Sequence, residues 1–452
     1  MKLSRNGKLA KRIIKRIHRD RKRKTIVILL GAGGAKPWGG PLANDLESVI
    51  IENNKYKTTT DHIPVGRFIF DKLREFYTSN EEVNFETFLG FLETLVEYVF
   101  SETNEGYRSP SNTSFMPSGF EVKEWISEIM DFQVSQELEN GRVILRIPAE
   151  APFGDVEERS NIQRIFFFKL YNHFLSLIAR RIEEYSYTIH ENSNLNNSLI
   201  QFIRFLNSKN TKIRIYTTNY DRLLQKTLGN QCKVFDGFSD NSGDDYYEYY
   251  SYQPQRIYED SDNITYYNLH GSLCWDKDMI LPNRGNNFYC YPNQTFPGIS
   301  WPTLEQVNPG QTLISSNIIT GYNKVQRVSL EPINYFNYAF MRDCLDSELL
   351  ISIGYSFNDI HINRVLKTIL NKPKFSFYHI TKNANPDDFF SSREYSNIDD
   401  LKEVTVAGLP DFQNNEDNPY WHLSKGEQII RGFYLDGFDG FLENEEWLKM
   451  DL

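Results

Sequence analysis

Thr25 to Leu30 is an unbroken apolar run of Ile, Val and Leu that stops at the glycine-rich GAGGAKPWGG of Gly31 to Gly40. A short continuous run closed by glycine predicts a strand buried on both faces, as in a parallel sheet. In Leu42 to Ile51, apolar Leu42, Leu46 and Val49 alternate with polar Asn44, Asp45 and Glu47. The opening unit therefore reads as strand, glycine loop, helix. Strand character returns at Lys212 to Tyr216, around Ile264 to Leu269, at Leu349 to Ile353 and at Phe375 to Ile380. Between about 65 and 206 the period changes: Phe85, Phe88, Leu89, Leu92, Leu95, Val96 and Val99 recur at intervals of three and four, and further helices fit 163 to 183 and 197 to 207. Residues 104 to 120, rich in Ser, Asn, Pro and Gly, read as a surface loop. The pattern predicts an α/β fold, a parallel sheet flanked by helices, with a large helical insertion over 65 to 206.

Charge divides the chain differently. Residues 2 to 24 hold twelve Lys or Arg against one acid, Asp20, so the rest carries about −21 although the whole chain is at −10. The organisation expected is a basic arm (1 to 24), a domain from 25 to 390 that includes the insertion, and an extension from 391 to 452. Such an arm suits nucleic acid, an acidic partner, or the acidic body of its own or a neighbouring subunit. Ile13, Ile14 and Ile17 permit a short amphipathic helix there; a merely solvated face is the alternative. The Tyr- and Asp-rich stretch 240 to 262 reads as an excursion or lid. Trp421, His422 and the apolar residues from Ile429 to Phe438 predict that the tail packs on something, without saying on what.

Composition excludes several classes. No apolar run is long enough to span a bilayer, and the basic N-terminus lacks the apolar stretch of a signal peptide, so a cytoplasmic location is expected. Cys232, Cys274, Cys290 and Cys344 form no CxxC pair and the eight histidines show no ligand spacing. No structural metal is expected.

Candidate chemistry gathers where strands end, the place where ligands bind in open parallel sheets. Gly31, Gly33 and Gly34 permit a tight turn and close backbone approach to a pyrophosphate, or simply close packing of strand and helix. TTNYD (Thr217 to Asp221) offers Asn219, which can donate to and accept from a ribose hydroxyl or a water. Asp221 adds a carboxylate, with a helix cap before RLLQKTL as its other use. NLHGS brings His270 to a strand end, where a near-neutral imidazole can accept a proton. GYSFND (Gly354 to Asp359), followed by His361, Ile362 and Asn363, could receive the adenosine side of a dinucleotide through Gly354 and Ser356, or cap the helix beginning near Asp359.

GAGGA, TTNYD, LHGS and GYSFND stand in the order found in sirtuin-like domains, and over roughly 25 to 385 the chain resembles that superfamily. The resemblance implies a Rossmann-like sheet and NAD as substrate. It casts Asn219 and His270 as catalytic, with Asp221 beside them, and Gly31, Ala32, Gly33, Thr218, Gly354 and Ser356 as lining the NAD pocket. TTNYD with GYSFNDIHIN is most similar to the bacterial branch found in antiphage defence, whose members are generally NAD hydrolases. Two departures point the same way. The four-cysteine zinc ribbon of deacylating sirtuins is missing, and where they continue the glycine loop as GIPDFR this chain has GGPLAN, Gly39 to Asn44. The expectation is an NAD hydrolase without zinc that releases nicotinamide and ADP-ribose. It would be gated by homo-oligomer assembly or by a partner such as a HerA-type hexameric ATPase or a short Argonaute. A protein deacylase and a non-catalytic NAD or ADP-ribose sensor are the alternatives.

Overall fold

The computed structural model describes residues 23–58, 60–77, 83–101, 129, 134–139, 142–147, 156–238, 250–277, 288–291, 304–308, 311–314, 316–321, 324–370, 372, 375–382, 413–415, 418–425 and 430–450. All but the last two residues of the basic arm, and the loop 104 to 120, lie outside them.

An eight-stranded sheet organises the chain. Its strands are β1 (Thr25–Leu30), β2 (Lys212–Thr217), β3 (Ile264–Asn268), β4 (Leu349–Ile353), β5 (Ser376–Ile380), β6 (Gln413–Asn415), β7 (Asn418–Lys425) and β8 (Ile430–Tyr434). The spatial order is β6-β7-β8-β5-β4-β1-β2-β3. The six strands from β8 to β3 are all parallel, and β7 and β6 add an antiparallel edge. This is the expected Rossmann-like α/β sheet. Chain order runs outward from β1 to β3 and then returns to the other side of β1 for β4, so the topology reverses between β1 and β4. A crevice opens at such a switch point beyond the carboxyl ends of the strands.

Alternation along β1 shows why the sheet is covered on both faces. Ile26, Ile28 and Leu30 enter one core, and Val27 and Leu29 enter the other. Helices α1 (Ala32–Ala35), α2 (Ala43–Ile51), α3 (Val65–Phe76), α4 (Phe85–Ser101), α5 (Val156–Thr188) and α6 (Ser193–Ser208) follow β1. Next come α7 (Leu223–Leu228), α8 (Pro254–Glu259), α9 (Lys324–Arg327), α10 (Ile333–Asp346), α11 (Ile360–Leu370) and α12 (Gly437–Glu443). The first core takes Leu46 of α2, Phe70 of α3, Phe88 of α4, Phe174 of α5 and Phe202 of α6. The helical insertion is thus one wall of the sheet. Its own chain also contains an antiparallel hairpin, 134–139 with 142–147, which the helical pattern did not anticipate. The second core is closed by α8, α10 and α11 through Ile257, Phe336 and Leu366.

The tail finds its partner here. β8 pairs parallel with β5, and beyond it the Phe441 ring meets Phe202 at 5.5 Å and Trp447 at 6.4 Å. The Phe438 ring lies 5.9 Å from that of Trp38, whose indole Nε1 donates to Asn196 of α6 at 2.8 Å.

Candidate functional site

Register brings four strand ends level. Leu30 pairs with both Thr217 and Ile353, and Thr217 pairs with Asn268. Gly31, Thr218, Leu269 and Gly354 are therefore the first residues past one line across the sheet, and the four motifs of the sequence open side by side.

The glycines serve contact between two of these motifs. A Cβ on Gly31 would stand 2.5 Å from the Gly354 carbonyl oxygen, and one on Gly33 2.9 Å from Gly354 Cα. Gly31 N–H donates to Ile353 O at 2.9 Å, Gly33 N–H to Gly354 O at 3.0 Å, and Gly34 N–H to Gly31 O at 3.0 Å. The first two bonds tie the β1 loop to the end of β4, and the third closes a turn within the β1 loop. The helix that opens directly after β1 is only the four-residue α1, with a 3-10 turn and then α2 behind it. Ala32 and Ser356 are exposed, and Gly33, Thr218 and Gly354 are half-buried, so this rim is open to a ligand.

Asn219 and His270 sit two residues past the paired ends of the neighbouring strands β2 and β3. Asn219 is 8% exposed; its backbone N–H donates to Thr217 Oγ1 at 3.0 Å and its Nδ2 to Gly31 O at 3.1 Å, fixing the side chain toward the β1 loop. Asn268 Nδ2 donates to Asn219 O at 3.1 Å and so ties the two strand ends together. Asp221 closes a turn just ahead of α7, where its Oδ1 accepts from Leu223 N–H at 2.8 Å. Burial raises its carboxyl, opposed by that bond and by Tyr185 and Asn219. It steadies the loop and the amide of Asn219.

His270 is held from behind. Ile319 N–H donates to His270 O at 2.7 Å, and Gly271, at φ +89°, packs against the backbone of Asn317 and Ile318. Its imidazole is 2% exposed, and burial depresses it to about 3, against the opposing pull of Asp359, so it is neutral at physiological pH. Its Nε2 lies 3.3 Å from His361 Nε2 and 3.6 Å from Asp359 Oδ1. Asp359 Oδ1 also accepts from Lys324 Nζ at 2.9 Å, and Lys324 meets Glu86 at 2.6 Å. Lys324, followed by His270, holds the Asp359 carboxyl well below the usual carboxylate range despite its burial. Burial raises Glu86, in part offset by Lys324.

Sequence reasoning missed Glu86, Lys324, Asp359 and His361 as members of the site. Asp359 and His361 stood in the quoted motif, but Asp359 also served as a helix start. Glu86 and Lys324 had no local signal, because their partners lie far away in the chain. The His270, Asp359 and His361 ligand atoms fall within 4.8 Å of one another, a spacing that could hold a metal ion. Sequence spacing could not show this trio, since it is drawn from the ends of two different strands. The Lys324 ammonium already occupies one side of the shared Asp359 oxygen.

Among the described residues no helix is long and apolar enough to cross a membrane. No curated protein matches the chain. Residues 213–400 match the family model of the SIR2-like domain, a span that holds TTNYD, LHGS and GYSFND and begins after the Gly31 loop; domains of this family in general use NAD.

Proposed function

We propose that this chain, which carries a SIR2-like domain, hydrolyses NAD at the nicotinamide–ribose bond in the crevice between β1, β2, β3 and β4. The observation that supports this most directly is the pairing of Asn219 and His270 at equivalent places past adjacent parallel strands, one fixed by the Gly31 loop and the other buried and neutral. Nicotinamide leaves NAD as a neutral molecule from a cationic ring, so departure asks little of an acid. The protein's tasks are to orient the attacking water and accept its proton. Asn219 supplies the donor and acceptor that orient it, His270 the acceptor for the proton, and Asp221 holds Asn219 in place.

A hydrolase of this kind left unregulated would exhaust the cofactor pool of its own cell. The biological reading is therefore NAD depletion in antiphage defence, gated by self-assembly or by a partner such as a HerA-type ATPase or a short Argonaute. Purified protein incubated with NAD, alone and with candidate partners, gives products that mass spectrometry separates. Nicotinamide with ADP-ribose supports hydrolysis, intact NAD with a stabilised fold points to a sensor, and O-acyl-ADP-ribose from an acyl-peptide points to a deacylase. Asn219→Ala and His270→Ala are each expected to lower nicotinamide release by at least about 100-fold, the lower end of the range for loss of a general base in the case of His270 and a comparable loss of water orientation in the case of Asn219. Release at the parent rate from either variant would remove that residue from the mechanism.

A further inference from the structure

The function proposed above uses His270 alone, yet the structure sets a second imidazole against it. The Nε2 atoms of His270 and His361 face each other at 3.3 Å, and one ring nitrogen can donate to another only if the first carries hydrogen and the second does not. We propose that His270 and His361 share one proton across this contact and work as a two-histidine relay anchored by Asp359. The inference rests on the reading of His270 as the proton acceptor.

Burial gives the reason for a relay. With 2% of its side chain exposed, and with substrate covering the crevice, His270 has no open path of its own by which to shed a proton during turnover. His361, in the first turn of α11, is only half-buried and provides the exit. Protons balance along the path. A proton taken from the attacking water by His270 Nδ1 is matched by transfer of the Nε2 proton to His361 Nε2 and by loss of the His361 Nδ1 proton to solvent. Both imidazoles end neutral but in their opposite tautomers, and hydroxide has been delivered to the ribose carbon. After product leaves, a solvent proton entering at His361 Nδ1, return of the Nε2 proton to His270 Nε2 and loss of the His270 Nδ1 proton to water in the emptied crevice restore the starting pair.

Charge around the pair favours a transient imidazolium. Asp359 faces the pair from the loop before α11 and Lys324 from α9, and Glu86 of α4 is bonded to Lys324; with two acids to one base, one added proton neutralises the cluster. Tyr220 and Tyr355, the other titratable groups in this field, are pushed up by burial and the nearby acids and stay protonated. His361 is itself depressed by burial, so at rest neither ring is charged and each carries a single N–H. A divalent ion on the same three ligands would stand beside the Lys324 ammonium, whereas a proton shared by the histidines draws on the Asp359 charge without that repulsion.

The test is the full chain labelled with ¹⁵N-histidine, with long-range ¹H–¹⁵N spectra assigned through His270→Gln and His361→Gln. The expected result is a complementary pair of tautomers, His270 protonated at Nε2 and His361 at Nδ1, that take up one proton together on acidification. Asp359→Asn should shift that shared step downward by about one pH unit or more. Rings that titrate separately, each with a tautomer indifferent to the other, would overturn the proposal whether or not the protein cleaves NAD. Where NAD is cleaved, His361→Gln should lower kcat roughly 10- to 100-fold with the KM for NAD within about twofold of the parent, and added imidazole should restore part of the rate. Parent kcat and an unaltered pH profile in that variant would overturn the relay. A shared proton in a chain that leaves NAD intact would keep the pair and sink the hydrolase reading instead.

Discussion

Gly354 has no room for a side chain: it sits at φ +56°, and a Cβ would lie 2.1 Å from Gly34 N and 2.3 Å from Gly33 C. Its left-handed backbone alone makes Gly354→Ala cost about 1–2 kcal/mol, and the contact with rigid backbone adds to that. The variant should lower the urea midpoint and weaken NAD binding together, since the clash pries apart the loops after β1 and β4. A second residue speaks through pH. His379 lies in β5 among the rings of Phe357, Phe377 and Phe433, and burial holds it at about 3 against an ordinary 6.5. The folded state then binds fewer protons than the unfolded one below pH 6.5, so its contribution to stability is full above that value and is lost as pH falls toward 3. His379→Phe should flatten the fall in urea midpoint between pH 6.5 and 4, and an unchanged slope would exclude His379 as a source of acid sensitivity. At this scale the sequence was partly readable. It singled out Asn219 and His270 because polar residues after apolar strands are visible in one dimension. It left the glycines open between a phosphate and close packing, because the backbone that Gly31 and Gly33 approach belongs to Gly354, more than 300 positions away.

Helices and strands were read best where burial is uniform. The runs that became β1 and β4 match the observed bounds, because a strand covered on both faces leaves no polar position to blur its ends. β7 and β8 were not recognised. Lying toward the edge, they mix His422, Ser424, Lys425 and Arg431 with apolar residues, and their strand character depends on pairing, β8 with β5 and β7 with β8. The α12 segment is likewise short and finds its stability in contacts, Phe441 being sealed between Phe202 and Trp447. Phe441→Ala should cost about 3–5 kcal/mol, as for other fully buried aromatics, and calorimetry should show one lowered transition and not a separate early one. An early, independent transition would mean that the tail is a unit of its own.

The molecule as a whole joins its layers through buried charge. Glu93 of α4, fully buried, meets Arg327 of α9 at 2.9 Å and accepts from Tyr171 of α5 at 2.8 Å. Arg327 in turn donates to Thr320 O at 3.2 Å, in the segment that carries Ile319 against His270. The helical wall therefore supports the site, and with Glu86 it also supplies part of the site's charge. In charge, the basic arm opposes about −21 in the rest of the chain. Deleting residues 1–22 should leave the thermal transition in place but change oligomer size or activation, with a difference that shrinks as salt rises past the screening range. Light scattering and nicotinamide release that both match the parent would dismiss the arm as an assembly element.

By itself the sequence determined the periodic features: a parallel α/β sheet, its first five parallel strands, a helical insertion, and polar motifs placed where those strands stop. Hydrophobic burial writes these into consecutive residues, so they survive in one dimension. Only the tertiary structure decided the sixth parallel strand, the contact of Gly31 with Gly354, and the Glu86, Lys324, Asp359, His361 cluster around His270. Each of these depends on groups brought together by strand register and helix packing, and an interaction between residues 91 or 238 positions apart leaves no local pattern to read.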